Sequence, residues 1–148
     1  MYRLFESGEA AHGGERIVCI GANLAGGGLA QRLKKHFGGT RRVSELRKLI
    51  GASLMRRDGT AEDDVYAWES GAGKFDWVEE WVTAHLCSAC SFVVTAVDGP
   101  PQARTGVQTA WLALLVNCRD CVPSDAWLGH YASLSSVAAS GLWNVLSG

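Results

Sequence analysis

The chain has 148 residues, 47% of them hydrophobic, six Trp and a net charge of −1. That length suits one compact domain over residues 1–148, and the apolar content excludes an intrinsically disordered chain. No apolar run nears the roughly 18 residues needed to cross a bilayer, and the charged, Gly-rich start MYRLFESGEAAHGGER does not read as a secretory signal, so a cytoplasmic protein without membrane attachment is expected.

Taken in order, Tyr2 to Phe5 and Arg16 to Ile20 are β-propensity runs joined by a polar, Gly-containing segment, which predicts an antiparallel hairpin with a loose loop containing His12. The glycine cluster Gly26, Gly27, Gly28 then connects to a helix over Leu29 to Phe37. Leu29, Leu33 and Phe37 form its buried stripe, and Arg32 and His36, four apart, share the adjoining face. No Lys-Ser/Thr pair or GxGxxG accompanies the glycines, so they read as a connection and not as a phosphate-cradling loop.

Gly38-Gly39 stops that helix, and Ser44 is the expected N-cap of the next. Leu46, Leu49, Ile50, Ser53 and Leu54 keep its apolar period, which leaves Arg47, Lys48, Arg56 and Arg57 outward. After the turn at Arg57 to Thr60, Val65 to Trp68 reads as a short strand and Phe75 to Leu86 as a helix. Val78, Trp81, Val82 and His85 lie on one face of that helix. The continuously apolar Phe92 to Val97 predicts a buried third strand, ended by Asp98-Gly99-Pro100-Pro101. A helix over Thr105 to Asn117 follows, with Val107, Trp111, Leu114 and Leu115 inward. Residues 118–148 read as a loop-rich cap, with His85 and His130 as structural histidines. The whole is an α/β (α+β) arrangement, a small, mainly antiparallel three-stranded sheet flanked by helices.

Charge is distributed unevenly along this order. Residues 1–60 hold 11 of the 14 Lys and Arg against 5 acids, whereas residues 61–148 hold 3 against 10. Nine of the basic residues lie between Arg32 and Arg57. Clustered cations neutralise phosphates and release counterions, so Lys34, Lys35, Arg41, Arg42, Arg47 and Lys48 are the expected contacts to a polyanion; a pair of solvated helices would carry the same pattern.

The cysteines carry a separate signal. Cys87-Ser-Ala-Cys90 and Cys118-Arg-Asp-Cys121 are two C-x2-C pairs separated by 27 residues, with Cys19 left over. Two such pairs are a tetrathiolate signature for structural Zn²⁺, with free thiols as the alternative. A strand of six residues covers roughly 20 Å and a helix of twelve roughly 18 Å, so an out-and-back path would return the second pair beside the first.

Tyr2, Val18-Cys19-Ile20-Gly21, Gln31-Arg32-Leu33 and His36, followed by RRVSELRKLIGASLMRR, the VEEWV and LALLVN helices and the WLGH and SGLWN pieces, resemble small bacterial members of the GIY-YIG nuclease superfamily over nearly the whole chain. The resemblance implies a DNA endonuclease that hydrolyses phosphodiesters with Mg²⁺ or Mn²⁺. It implies catalytic positions at Tyr2, Cys19, Arg32, His36 and Gln108. Cys19 stands where the family's second motif has a tyrosine. Gln108 stands where the metal-binding glutamate is expected, with Glu79 or Glu80 as substitutes if the helix aligns differently.

Such a reaction needs an activated water, a group that stabilises charge on phosphorus and a metal or acid at the leaving oxygen. Arg32 suits the second role, because a guanidinium pairs with two phosphate oxygens and stays charged. His36 or Tyr2 would orient or deprotonate water. The amide at Gln108 implies impaired activity, and a catalytically inactive DNA-binding or protein-interaction module that keeps the fold is the alternative.

Overall fold

The computed structural model of the chain describes residues 1–23 and 28–146. Its elements run β1 (Tyr2–Ala11), β2 (Gly14–Gly21), α1 (Gly28–Gly38), α2 (Glu45–Arg57), α3 (Glu62–Ser70), α4 (Asp76–Ala89), β3 (Cys90–Val94) and α5 (Pro101–Val116). A 3₁₀ turn at Leu128–Tyr131 and a short α6 (Ser135–Ser140) follow. The three strands form one antiparallel sheet in the order β2-β1-β3, and the fold is α+β. Gly26 and Gly27 of the glycine cluster lie outside the described residues, while Gly28 opens α1.

The hairpin is longer and tighter than the sequence suggests. β1 extends to Ala11, β2 begins at Gly14, and these two residues pair, which leaves only His12-Gly13 as the loop. The β1–β2 pairing is irregular between Phe5 and Ala10, and two acids of this stretch find side-chain partners. Glu9 is paired with the buried Arg16 at 2.6 Å. Glu6 accepts from the Trp127 and Trp143 indoles at 3.0 and 3.1 Å and lies 2.8 Å from His85 Nε2. Burial opposes ionisation of Glu6, but the hydrogen bonds from His85, Trp143 and Trp127 outweigh it and hold the carboxyl below its ordinary value.

α2 is the central helix of the core. Ser44 caps it, its hydroxyl accepting from the Arg47 backbone N–H at 3.2 Å. Leu46, Leu49, Ile50, Leu54 and Met55 are buried against Val65 and Trp68 of α3 and Val78, Val82 and Leu86 of α4. α3 corrects the strand expected at Val65 to Trp68. Three acids in its first turn complement the helix dipole and Gly71 closes it in the left-handed conformation, so the end signals outweigh the local β-propensity.

Two further expectations are corrected at the sheet edge. β3 is a strand, but Phe92, Val93 and Val94 are 44%, 45% and 51% exposed, because β3 is an edge and its apolar run is only partly covered. α5 starts four residues earlier than expected, at Pro101, where a proline at the first turn pre-sets the helical φ. None of its residues is fully buried, and Leu114 is 70% exposed. The cap keeps only short elements, as its Pro and Gly content implies.

Candidate functional site

The site grows from the open end of the hairpin. Tyr2 lies opposite Gly21 in the β1–β2 register, and a Cβ on Gly21 would stand 2.1 Å from Tyr2 Cζ. Glycine there is what lets the phenol cross the end of β2. The Tyr2 hydroxyl reaches His36 Nε2 at 2.7 Å, and His36 Nδ1 lies 2.7 Å from Ser44 Oγ. Arg47 completes the chain by donating from Nη1 to the His36 carbonyl at 2.9 Å. One hydrogen-bonded run therefore ties β1, α1 and the start of α2 together.

Electrostatics fix the resting state of that run. Burial, reinforced by the neighbouring Cys19, pushes the Tyr2 phenol up to about 12 despite the opposing pull of Arg32. Burial together with the positive charges of Arg32 and Arg47 pushes His36 down to about 4. Both groups are neutral at pH 7. We assign the phenol as donor to Nε2, which leaves Nδ1–H to donate to Ser44 Oγ. Tyr2 and His36 are both buried, and both line one cleft.

In front of this run is a cleft of about 430 Å³ whose lining includes Tyr2, Arg32, Lys35, Glu45, Gln108 and Asn144. Arg32 and Lys35 are exposed, as two cations on the α1 side. On the facing side, Asn144 accepts from the Ile20 N–H at 2.9 Å and donates to the Ile20 carbonyl at 2.7 Å, while Gln108 Nε2 donates to the same carbonyl at 3.3 Å. Trp143 N–H donates to the Val18 carbonyl at 2.7 Å, so the last residues of the cap cover the outer edge of β2. Cys19 also lines the cleft; burial pushes its thiol up to about 12, and it carries no charge to replace a phenol's role.

This lining suits an anion better than a hard divalent cation. Among the described residues, Glu45 is the one carboxylate lining the cleft, and Lys48 Nζ already pairs with it at 2.8 Å. Glu79, the other candidate acid, is occupied by Arg47 at 2.9 Å and by the Arg41 backbone N–H at 2.8 Å, and Glu80 is exposed outside the cleft. Mg²⁺ and Mn²⁺ require charged oxygen donors, and the neutral amides of Gln108 and Asn144 beside two cations do not supply them.

The basic run divides into two kinds of residue. Arg47, expected outward, is buried: it spans the Glu79 carboxylate and carbonyl, the Thr83 hydroxyl at 2.9 Å and the His36 carbonyl. Arg41 is also buried, stacked 4.5 Å over Trp68 and donating to the Ala72 and Gly73 carbonyls. Both guanidinium groups are engaged by groups of the chain itself. Lys34, Lys35 and Arg42 are exposed and Lys48 is half-buried.

The four cysteines do not assemble into one centre. Cys90 gathers with Glu6 and His85, and Cys118 and Cys121 gather with His12. The reason is register: β3 sets Cys90 opposite Glu6, six residues, or roughly 20 Å of strand, short of His12. Four residues of this site escaped the sequence reading in their present roles: Ser44 and Arg47 behind His36, Glu45 in the cleft and Asn144 on β2. Only Ser44 carried a signal, as an N-cap.

The family model described as GIY-YIG domain matches residues 1–147. No curated protein and no solved structure matches the chain.

Proposed function

Because this chain belongs to the GIY-YIG domain family, we propose that its cleft binds a phosphodiester of DNA as a nuclease of that family would, with hydrolysis impaired by the amide at Gln108. The observation that carries this reading is the pairing of an exposed Arg32 with the Tyr2–His36 hydrogen bond of 2.7 Å on one cleft wall. Arg32 holds two phosphate oxygens and stabilises charge at phosphorus. The Tyr2 oxygen, held by its hydrogen bond to His36, orients the attacking water, which loses its proton to solvent as the new P–O bond forms, and the leaving oxygen takes a proton from solvent as the old one breaks. Lys34, Lys35, Arg42 and Lys48 steer the flanking backbone. Family nucleases take a divalent metal at the position of Gln108, and the residues present here do not fit one.

The test is cleavage of plasmid and oligonucleotide DNA with Mg²⁺ or Mn²⁺ by the chain as it stands, Arg32→Ala and Gln108→Glu. We expect slow or no cutting by the natural chain, faster cutting by Gln108→Glu, and none by the double variant carrying both changes. Salt-dependent DNA binding with no cutting by Gln108→Glu would select the second reading, a non-catalytic DNA-binding module, which the amide favours. No binding by either form would overturn both.

A further inference from the structure

The closed end of the hairpin, remote from the cleft, holds a second arrangement. Ala11 pairs with Gly14, so His12 and Gly13 alone make the turn, and both have positive φ, 53° and 75°. That is the type I′ geometry, in which Asn, Asp or Gly normally takes the first position. His12 is the one non-glycine residue with positive φ among the described residues. A side chain of that size held in a sparsely populated conformation points to a use for it.

The imidazole meets the second cysteine pair. His12 Nε2 lies 3.2 Å from Cys118 Sγ and 3.4 Å from Cys121 Sγ, and the three ligand atoms all fall within 4.8 Å of one another. We propose that His12, Cys118 and Cys121 are a Zn²⁺ site that staples the hairpin tip to the segment following α5. Around a tetrahedral Zn²⁺, with bonds of about 2.0 Å to nitrogen and 2.3 Å to sulfur, a nitrogen and a sulfur stand about 3.5 Å apart. The two observed separations need to open only by a few tenths of an ångström. The C-x2-C turn is already formed, the Cys121 N–H donating to the Cys118 carbonyl at 3.4 Å. Imidazole with two thiolates is a donor set that selects Zn²⁺ over Mg²⁺ or Mn²⁺. Three protein ligands on an exposed tip leave the fourth position to water or an external donor. Cys87 and Cys90 take no part.

This site stands independently of the nuclease reading, and metal content tests it. The chain is purified without added zinc under reducing conditions, then zinc is measured as isolated and after one-step reconstitution and desalting. We expect about one equivalent per chain, falling below about 0.2 in Cys118→Ser and Cys121→Ser. His12→Asn keeps the turn type and should bind about tenfold more weakly or worse in competition with a chelator. Cys87→Ser with Cys90→Ser should retain the full equivalent. The Co²⁺-substituted natural chain gives a readout that needs no variant: thiolate-to-cobalt charge transfer of two sulfurs, not four, with tetrahedral d–d bands. Less than about 0.2 equivalents after reconstitution, a spectrum of four thiolates, or loss of zinc only in the Cys87 and Cys90 variant would each overturn the proposal.

Discussion

Tyr2 and Gly21 face each other across the first two strands so closely that a methyl group on Gly21 would stand 2.1 Å from the tyrosine ring. Gly21→Ala must therefore move the phenol or the strand. We expect a loss of about 1–3 kcal/mol, read as a melting point lower by several degrees, and a shift of the His36 ring resonances as the Tyr2 contact breaks. Unchanged melting and unchanged His36 resonances would show that the ring has other room.

Arg47 and Arg42 sit five residues apart but should behave oppositely. Removing the Arg47 guanidinium in Arg47→Ala leaves the Glu79 carboxylate without its counter-charge and the His36 carbonyl without its Arg47 donor, and about 3–5 kcal/mol of stability should go with it. Arg42→Ala, an exposed change, should stay within about 0.5 kcal/mol. Chemical denaturation of the two variants side by side checks the contrast; equal midpoints would mean that Arg47 is not the keystone of the α1–α2–α4 junction.

That contrast also shows what could be read before the fold was known. Helical period placed Leu46, Leu49, Ile50 and Leu54 inside and Ser44 at the cap, and both are observed. Period also assigned Arg47 to solvent, because a charged residue reads as outward unless its partners are visible. Those partners, Glu79 and the His36 carbonyl, come from 32 residues downstream and 11 upstream. The same non-local origin hid Asn144, which meets β2 across 124 residues. Arg32 and His36 were legible as neighbours on one helix face from their spacing of four, whereas Tyr2 and Gly21 were singled out by the resemblance to the GIY-YIG motifs. The cysteine pairing failed for a related reason: spacing counts residues, and register decides which strand position they meet.

Binding of DNA should divide along the same line. Arg32→Ala is expected to weaken a short duplex about tenfold at about 100 mM salt and to lower the slope of log affinity against log salt by about one phosphate contact. Lys34→Ala with Lys35→Ala should reduce the slope further, with the melting point unchanged, since both are exposed. Fluorescence anisotropy across a salt series measures this, and a slope that does not change in any of these variants would remove the basic face from the account.

Acid should destabilise the fold in two stages. His36 has its pKa lowered from 6.5 to about 4, so the unfolded chain binds more protons between those values. Its contribution is complete above about pH 6.5 and is lost as pH falls toward about 4. Glu6 is lowered from 4.5, so its contribution is present above that value and is lost as pH drops through its own lower pKa. Denaturation midpoints in a pH series should fall across both windows, and His36→Gln should flatten only the upper one. A flat wild-type profile between pH 6.5 and 4 would contradict the buried neutral imidazole.

The clasp of Asn144 on Ile20 also sets an order of events at the ribosome. The backbone groups of Ile20 emerge 124 residues before the side chain that satisfies them. At about 5–20 residues per second, the outer edge of β2 waits roughly 6–25 s for its cover. Through that interval the nascent hairpin displays an open strand edge to neighbouring chains, and the wall of the cleft that faces Arg32 does not yet exist. The cleft is thus completed only after Asn144 has emerged.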